Sequence, residues 1–311
     1  MGMYPTNLNE FVASMGIPRG PKSNAYLYDP VNGSDSNTGK SWLKPLKTLI
    51  AAEDRCVGDQ HDVVLALSGD TADNPNAAIV WDKDYTHLIG LSSDVYGLGQ
   101  RSRVVTQAGI AVSPGITLSG NGCIIKNMQF YNEKAAGEAA GCGIITGSRN
   151  YLRNVFLMSP AAPDAGSYSL KLSGAENVFY RCTIGQHTNP RTAASYNLWL
   201  HGAGNVSRNK FVKSEFLSWA SSADHVHVLV DADMAAVPHM TQFEDCLFDN
   251  VGTNLTESIN DNSTAAGHQI LLLGKNSFAG VSAVGATLTY ILVQHFSHGG
   301  LMAALEESAE T

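Results

Sequence analysis

The residues with the clearest potential for chemistry lie in one short segment rich in aspartate and histidine. They are Asp224, His225, His227, Asp231 and Asp233. His225 and His227 are two positions apart and would share one face of a β-strand, as would the two later aspartates. A histidine paired with a carboxylate can act as a general base. If the chain is an enzyme, we expect these five residues to be catalytic; the alternative is a polar strand edge with surface histidines.

Other acidic residues are weaker candidates for a site. Asp29 and Asp35 lie in a loop whose oxygens could bind calcium, but their spacing does not match an EF-hand, so we favour an asparagine–glycine turn. Glu244 and Asp245 are interpreted as turn and solvent face. No close pairing of cysteine with histidine is present in the sequence. We therefore predict no metal and no cofactor.

A repeated sequence motif, called the phrase below, must position these residues. Its first half is an apolar run closed by glycine. The closing glycines, at positions 120, 147, 174 and 202, are 27, 27 and 28 residues apart. Its second half begins at Ile125, Leu152, Phe179, Phe211 and Phe243. Two independent patterns with one period indicate a repeat architecture, in which stacked units bury a continuous apolar column.

The period predicts the geometry of one unit. About 27 residues accommodate three strands of about 5 residues and three turns of about 2 to 5 residues, with no room for a helix. We therefore predict an all-β, single-stranded right-handed parallel β-helix. It has three strands per coil, coils about 4.8 Å apart, short capping helices and a C-terminal cap.

The register also predicts the core. One inward stack should comprise Phe130, Leu157, Ile184, Phe216 and Phe248. The five cysteines are an odd number, so they cannot all pair within the chain. Two of them, at positions 182 and 246, share one register position about 9.6 Å apart, too far for a disulfide. We interpret them as buried thiols of a protein made in a reducing cytoplasm.

Two segments resemble a known family. The run Ile124–Phe130 resembles the coil of the pectate-lyase-like (pectin lyase-like) right-handed parallel β-helix superfamily, in which turn asparagines stack into a ladder; Asn127 and Asn154 occupy that place. The run from Tyr28 to Gly39, followed by Trp42–Ala52, resembles the opening of many such proteins, phage-encoded ones among them. There, a short helix plugs the first coil.

The resemblance implies chemistry that the sequence matches only in fragments. Pectate lyases use a carboxylate cluster for calcium and a basic residue that takes a sugar-ring proton. Polygalacturonase-like hydrolases carry an Asn-x-Asp, an Asp-Asp pair, a Gly-His-Gly and an Arg-x-Lys, and none is complete here. The pair His201–Gly202 is one fragment. Trp199 lies in a repeat strand, and the sequence leaves open which way its ring points.

The chain divides into an N-terminal helix and linker arm (1–25), the β-helix (26–280) and a C-terminal cap and tail (281–311), with a helix predicted over Leu301–Ala309. In the arm, Leu8, Phe11, Val12 and Met15 follow one helical face. That face either packs on the β-helix or docks on a partner. No secretion signal or membrane span is expected, and a net charge of −8 disfavours nucleic-acid binding.

Three functional interpretations follow. The first, and favoured, is a noncatalytic structural protein of a tailed-phage virion, as a head decoration, minor capsid or fibre component. It would bind a capsid or tail protein through the arm and form a homo-oligomer, with a trimer as one option. The alternative is a polysaccharide lyase or hydrolase that cleaves an acidic glycan, and a glycan-binding module is the third. Acidic residues that converge on one long parallel face would favour the enzyme.

Overall fold

The computed structural model describes residues 8–69, 73, 75, 77–92, 102–106, 113–133, 141–158, 164–202, 206–234, 239–263, 268–285 and 291–294. Two short helices are present in this part of the chain, α1 (Leu8–Ser14) and α2 (Leu49–Arg55). The strands, in chain order, are β1 (Ala25–Tyr28), β2 (Val63–Leu67), β3 (Ile79–Trp81), β4 (His87–Leu91), β5 (Arg103–Thr106), β6 (Ile116–Leu118), β7 (Ile124–Lys126), β8 (Gln129–Asn132), β9 (Gly141–Ile145), β10 (Tyr151–Arg153), β11 (Phe156–Met158), β12 (Tyr168–Leu172), β13 (Val178–Tyr180), β14 (Thr183–Arg191), β15 (Tyr196–Leu200), β16 (Asn209–Val212), β17 (Glu215–Ala220), β18 (Val226–Val230), β19 (His239–Glu244), β20 (Leu247–Gly252), β21 (Ile259–Asp261), β22 (His268–Leu273), β23 (Ser277–Ala279) and β24 (Ile291–Gln294).

These strands form three parallel sheets. Sheet 1 has ten strands in the order β1-β2-β4-β7-β10-β13-β16-β19-β22-β24, sheet 2 has seven in the order β23-β20-β17-β14-β11-β8-β5, and sheet 3 has seven in the order β21-β18-β15-β12-β9-β6-β3. From β4 to β23 the chain visits sheets 1, 2 and 3 in turn and pairs each strand with its counterpart one coil away. The predicted right-handed parallel β-helix with three strands per coil is confirmed.

The predicted core stack is also confirmed. Leu157 pairs in register with Phe130 on one side and Ile184 on the other, and the column continues through Phe216 to Phe248. All five side chains are buried. The Phe216 and Phe248 rings stack with centroids 4.7 Å apart. Large rings in one column bury apolar surface continuously, and this explains why a unit of about 27 residues is stable only next to another unit.

The turn between sheets 1 and 2 contains the predicted asparagine ladder. Asn127 and Asn154 adopt φ values of 55° and 53°, the left-handed region that asparagine tolerates. The Asn154 Nδ2 donates to the Asn127 Oδ1 at 3.0 Å. Arg181, Lys213 and Asp245 take the same conformation in the following coils, with φ between 50° and 54°. The turn geometry is therefore retained where the side-chain ladder ends.

A second ladder, which the sequence analysis missed, lies at the turn from sheet 3 to sheet 1. Asn150, Asn177 and Asn209 are fully buried. The backbone N–H of Asn150 donates to Asn177 Oδ1 at 3.0 Å, and that of Asn177 donates to Asn209 Oδ1 at 2.9 Å. Their Nδ2 groups bond the carbonyls of the closing glycines one coil below. A Cβ on Gly147 would overlap the Gly120 carbonyl, so close backbone approach explains the recurring glycine.

Both N-terminal helices pack on the β-helix. In α1, Leu8 and Val12 are buried against strands β1, β2 and β4 of sheet 1, and Phe11 and Met15 are partly buried there. Of the two alternatives for this face, packing on the β-helix is what the structure contains, and partner binding through the same face stays a prediction. In α2, which Thr48 caps, Leu49 and Ala52 join the main core at the first coil.

The C-terminal part extends the β-helix as far as it is described. Val284 packs against the core, and β24 pairs with β22 in sheet 1. Residues 286–290 and 295–311, including the helix predicted over Leu301–Ala309, lie outside the described residues. Neither of the two helices in the described segments has the length and apolar character to span a membrane.

Candidate active site

The outward face of sheet 3 carries the most chemically capable cluster of the described chain. Strands β12, β15 and β18 lie side by side, with Lys171 paired to Trp199 and Trp199 to Leu229. Outward and inward positions alternate along a strand, so Leu198 and Leu200 fill the core while Trp199 faces outward. One residue beyond β15, His201 lies beside Asp231, which is the residue just beyond β18.

The centre of this cluster is the carboxylate of Asp231. Its Oδ2 accepts a hydrogen bond from His201 Nδ1 at 2.9 Å and another from Trp199 Nε1 at 2.7 Å. Asp233 approaches the same histidine nitrogen, with Oδ2 3.2 Å from Nδ1, and its Oδ1 accepts from the Gly202 backbone N–H at 3.1 Å. The two aspartates therefore hold one imidazole nitrogen and leave Nε2 as the nitrogen that would meet a substrate.

The charges in this cluster are arranged for proton transfer. Partial burial alone would raise the pKa of Asp231, but the hydrogen bonds from His201 and Trp199 outweigh it, and the pKa lies below its usual value. Asp231 is thus ionised at neutral pH and can only accept, so Nδ1 of His201 carries the hydrogen. Burial lowers the pKa of Lys171, an effect that the charges of Asp231 and Asp233 partly offset.

Aromatic rings surround these charged groups. The Lys171 Nζ lies 4.1 Å from the centroid of the Trp199 ring, a cation–π contact. Tyr168 and Tyr196 flank the same ring, with centroids 5.5 Å and 5.9 Å away. The imidazole of His201 completes the group at 4.9 Å. An aromatic surface edged by a cation and carboxylates offers both apolar and polar contacts to a ligand with apolar C–H faces and polar groups.

The five residues predicted from the sequence do not form one site. Asp231 and Asp233 belong to the cluster on sheet 3. Asp224 is exposed at the preceding corner, where its nearest described side-chain partner is Ser222 at 3.4 Å. His225 and His227 are completely buried. The expectation that the two histidines work with the two later aspartates is therefore corrected by the structure.

The reason is a break in strand alternation where the chain enters sheet 3. The backbone N–H groups of His227 and Val228 both donate to the Ser258 carbonyl, and both residues are buried. His227 Nδ1 bonds Ser258 Oγ at 2.9 Å, and His225 Nδ1 bonds Ser195 Oγ at 2.9 Å. Burial lowers the pKa of His227 to about 4 and that of His225 well below its usual value, so both are neutral core residues.

The sequence analysis gave no site role to three members of the cluster, Lys171, Trp199 and His201, although the repeat held a signal for them. Lys171 and Trp199 occupy equal positions of consecutive units, since the closing glycines that follow them are at 174 and 202. His201 was recognised only as a fragment of a hydrolase motif. Aligning each unit on its closing glycine would have placed all three at the outward end of the same sheet.

The cluster was also tested as a metal site. One ligand atom from each of His201, Asp231 and Asp233 lies within 4.8 Å of the others. Calcium prefers about six to eight oxygen ligands, and a set that contains an imidazole nitrogen suits a transition metal better. The calcium implied by the pectate-lyase resemblance therefore does not fit this set. Asp29 Oδ1 accepts from the backbone N–H groups of Val31 and Asn32 in its own loop, and Asp35 Oδ1 accepts from those of Lys47 and Thr48, just before α2.

No family model and no curated protein matches the chain. Several solved structures are similar to it in fold. A rhamnogalacturonan lyase is 14% identical with a TM-score of 0.51, over 88% of this chain and 66% of that chain. A pectin methylesterase in complex with a hexasaccharide is 12% identical with a TM-score of 0.55, over 91% and 92%. The fold is the pectate-lyase-like parallel β-helix.

The comparisons and the site correct the favoured functional interpretation. Both of these structures of similar fold are enzymes by name. In addition, Asp231 and Asp233 converge with a histidine and a lysine on one parallel face, the feature that would favour the enzyme. The prediction of a noncatalytic structural protein of a phage virion is therefore wrong, and the polysaccharide-cleaving alternative is the better supported one.

Proposed function

We propose that this chain is a polysaccharide-degrading enzyme that cleaves an acidic glycan by β-elimination on the outward face of sheet 3. The observation that carries the proposal is the convergence of Lys171, His201 and Asp231 around Trp199. The two enzymes of similar fold lend support because their names give rhamnogalacturonan and pectin as the polymers on which they act.

In this mechanism His201 is the general base. Asp231 holds the hydrogen-bearing Nδ1, so the lone pair on Nε2 is available to remove the proton from the carbon that bears the uronate carboxyl group. The C–H electron pair forms the new C=C bond as the adjacent C–O bond breaks. The departing sugar oxygen takes its proton from solvent water. Asp231 stabilises the imidazolium that results.

Lys171 supplies the positive charge that this reaction needs. Removing the proton next to a carboxylate builds further negative charge on that group in the transition state, and a fixed cation stabilises it. The Trp199 ring holds the ammonium in place from below at 4.1 Å and at the same time donates to Asp231. Because Lys171 is half-buried, its charge is less screened than that of a surface lysine.

The geometry favours elimination over glycoside hydrolysis. Hydrolases place two carboxyl groups on either side of the scissile bond, about 5 to 9.5 Å apart, in separate roles. Here Asp231 and Asp233 lie 2.9 Å and 3.2 Å from one and the same nitrogen of His201. Two carboxylates bound to one imidazole cannot flank a glycosidic bond, whereas an oriented imidazole beside a cation matches the needs of elimination.

The experiment is an assay for unsaturated uronate products on a panel of polygalacturonate, rhamnogalacturonan, alginate and hyaluronan, with a neutral glucan as reference. We expect turnover of at least one acidic polymer. His201→Ala should lower kcat by about 10²- to 10⁴-fold, as loss of a general base does. Lys171→Ala should lower kcat by a similar order, since it removes transition-state stabilisation.

A matched control exists on another face. His187 and Asp249 form a histidine–aspartate pair on sheet 2, with Nε2 and Oδ2 3.4 Å apart. His187→Ala should leave kcat within about twofold of the unmodified protein, because a surface change away from the site has little effect. Background product release from every acidic polymer, or equal losses in His187→Ala and His201→Ala, would contradict the proposal.

A further inference from the structure

Arg191, the last residue of β14, is a buried cation whose two terminal nitrogens lack hydrogen-bond partners in the described part of the chain. It is 1% exposed. Its backbone is well held, since its carbonyl accepts hydrogen bonds from the N–H and the hydroxyl of Ser221. Its side chain is not: neither Nη1 nor Nη2 has a hydrogen-bond partner. A desolvated charge with unused donors is strongly unfavourable, and nearly all such groups in proteins bind something.

The groups around Arg191 do not neutralise it. Tyr131 and Cys142 interact with it electrostatically, and Arg191 in turn acts on His225. Burial raises the pKa of Cys142 to about 12 and raises that of Tyr131, so neither is negative at neutral pH. His225 is neutral for the reason given above. No carboxylate of the described segments forms an ion pair with Arg191.

The guanidinium nevertheless stays charged. Burial lowers the pKa of Arg191 to about 9, which still leaves it protonated at neutral pH. One positive charge is therefore enclosed at the corner between sheets 2 and 3, with the donors of Nη1 and Nη2 unused. The complement of such a group is a ligand of one negative charge, small enough to be enclosed, that accepts hydrogen bonds.

We propose that Arg191 binds a small monovalent inorganic anion, of the chloride class, inside the coil beside Tyr131, Cys142 and His225. His225 supplies a further reason for a filled site. The Ser195 hydroxyl donates to the Ala193 carbonyl and so accepts from His225 Nδ1, which leaves Nε2 as an acceptor that has no partner. A water bound next to the anion would donate to it. This site is separate from the proposed active site.

The test is thermal unfolding of the full chain in sodium chloride and in sodium gluconate, whose anion is too large to be enclosed, at equal ionic strength. An anion that binds only the folded state raises Tm, and above its dissociation constant the rise follows the logarithm of the anion concentration. We expect a rise of about 2 °C or more in chloride. Arg191→Met should abolish the rise. Arg208→Met, which removes an exposed arginine paired with Glu176, should keep it.

A second measurement decides the question if Arg191→Met does not fold. Crystals of the unmodified protein grown with sodium bromide should show an anomalous bromide peak within hydrogen-bond distance of the Arg191 Nη atoms. The absence of that peak would overturn the proposal, as would a chloride response of the same size in Arg191→Met. Neither measurement depends on glycan cleavage, so the anion site and the enzyme function stand or fall separately.

Discussion

Two groups of side chains that contain histidine lie on neighbouring coils of this β-helix and have opposite environments. On the outward face of sheet 3, His201 is half-exposed and bound to two carboxylates. At the corner just before that sheet, His225 and His227 are fully buried and bound to serine hydroxyls. The comparison teaches that the partner and the access to solvent, rather than the local density of histidines, decide whether a histidine can exchange a proton with a substrate.

The largest effect should follow from breaking the exposed cluster at Asp231. Asp231→Asn removes the negative charge that fixes the tautomer of His201 and stabilises its protonated form, so kcat/KM should fall by about 10²- to 10⁴-fold. Steady-state kinetics on the best acidic polymer measure the loss, and circular dichroism should show an unchanged fold. A variant as active as the parent would show that His201 acts without its carboxylate, or is not the base.

The buried histidines should instead make the free energy of unfolding depend on pH. His227 has a folded pKa of about 4, below its unfolded value near 6.5. Because the folded state disfavours protonation of this residue, its full contribution to the free energy of unfolding is present above pH 6.5. The unfolded state gains a proton first as the pH falls, so stability is lost between about pH 6.5 and 4, by at most about 3 kcal/mol for this residue.

His227→Asn tests this slope of the free energy of unfolding against pH. Asparagine does not titrate, and Asn197 already occupies the same corner one coil below. We expect denaturant unfolding at pH 7 and pH 5 to show a smaller difference for His227→Asn than for the parent. An identical slope in His227→Asn and in the parent would mean that His227 is not a buried neutral residue.

The smallest effect should come from the support of Asp231 by Trp199. Trp199→Phe keeps an aromatic ring under Lys171 but removes the N–H that donates to Asp231 at 2.7 Å. Loss of one charge-assisted hydrogen bond of about 1.5 to 3 kcal/mol raises the pKa of Asp231. Because the carboxylate itself remains, kcat/KM should fall by about tenfold, less than in Asp231→Asn. A loss as large as that of Asp231→Asn would indicate that the indole ring, and not its N–H, positions the site.

The sequence alone determined more of the scaffold than of the site. The spacing of the phrase leads directly to three parallel sheets and to the column from Phe130 to Phe248, because a constant period places equal positions on top of one another. The turn asparagines Asn127 and Asn154 were found from the resemblance of this motif to the pectate-lyase-like coil. The second ladder through Asn150 was not found, since its asparagines lie outside both halves of the phrase.

The candidate active site could be predicted from the sequence only in part. Asp231 and Asp233 were identified from their types and spacing, but Lys171 and His201 come from other coils, and their approach to Asp231 depends on pairing between residues about 30 positions apart.

What only the tertiary structure decided is the direction of the side chains near the corners. Ideal alternation puts His227 outward, whereas the irregular entry into sheet 3 turns both His227 and Val228 into the core. The period of a repeat determines which residues stack because equal positions recur in every coil. It does not determine where a strand bends, because that depends on how adjacent coils share their backbone hydrogen bonds and fill the volume between the sheets.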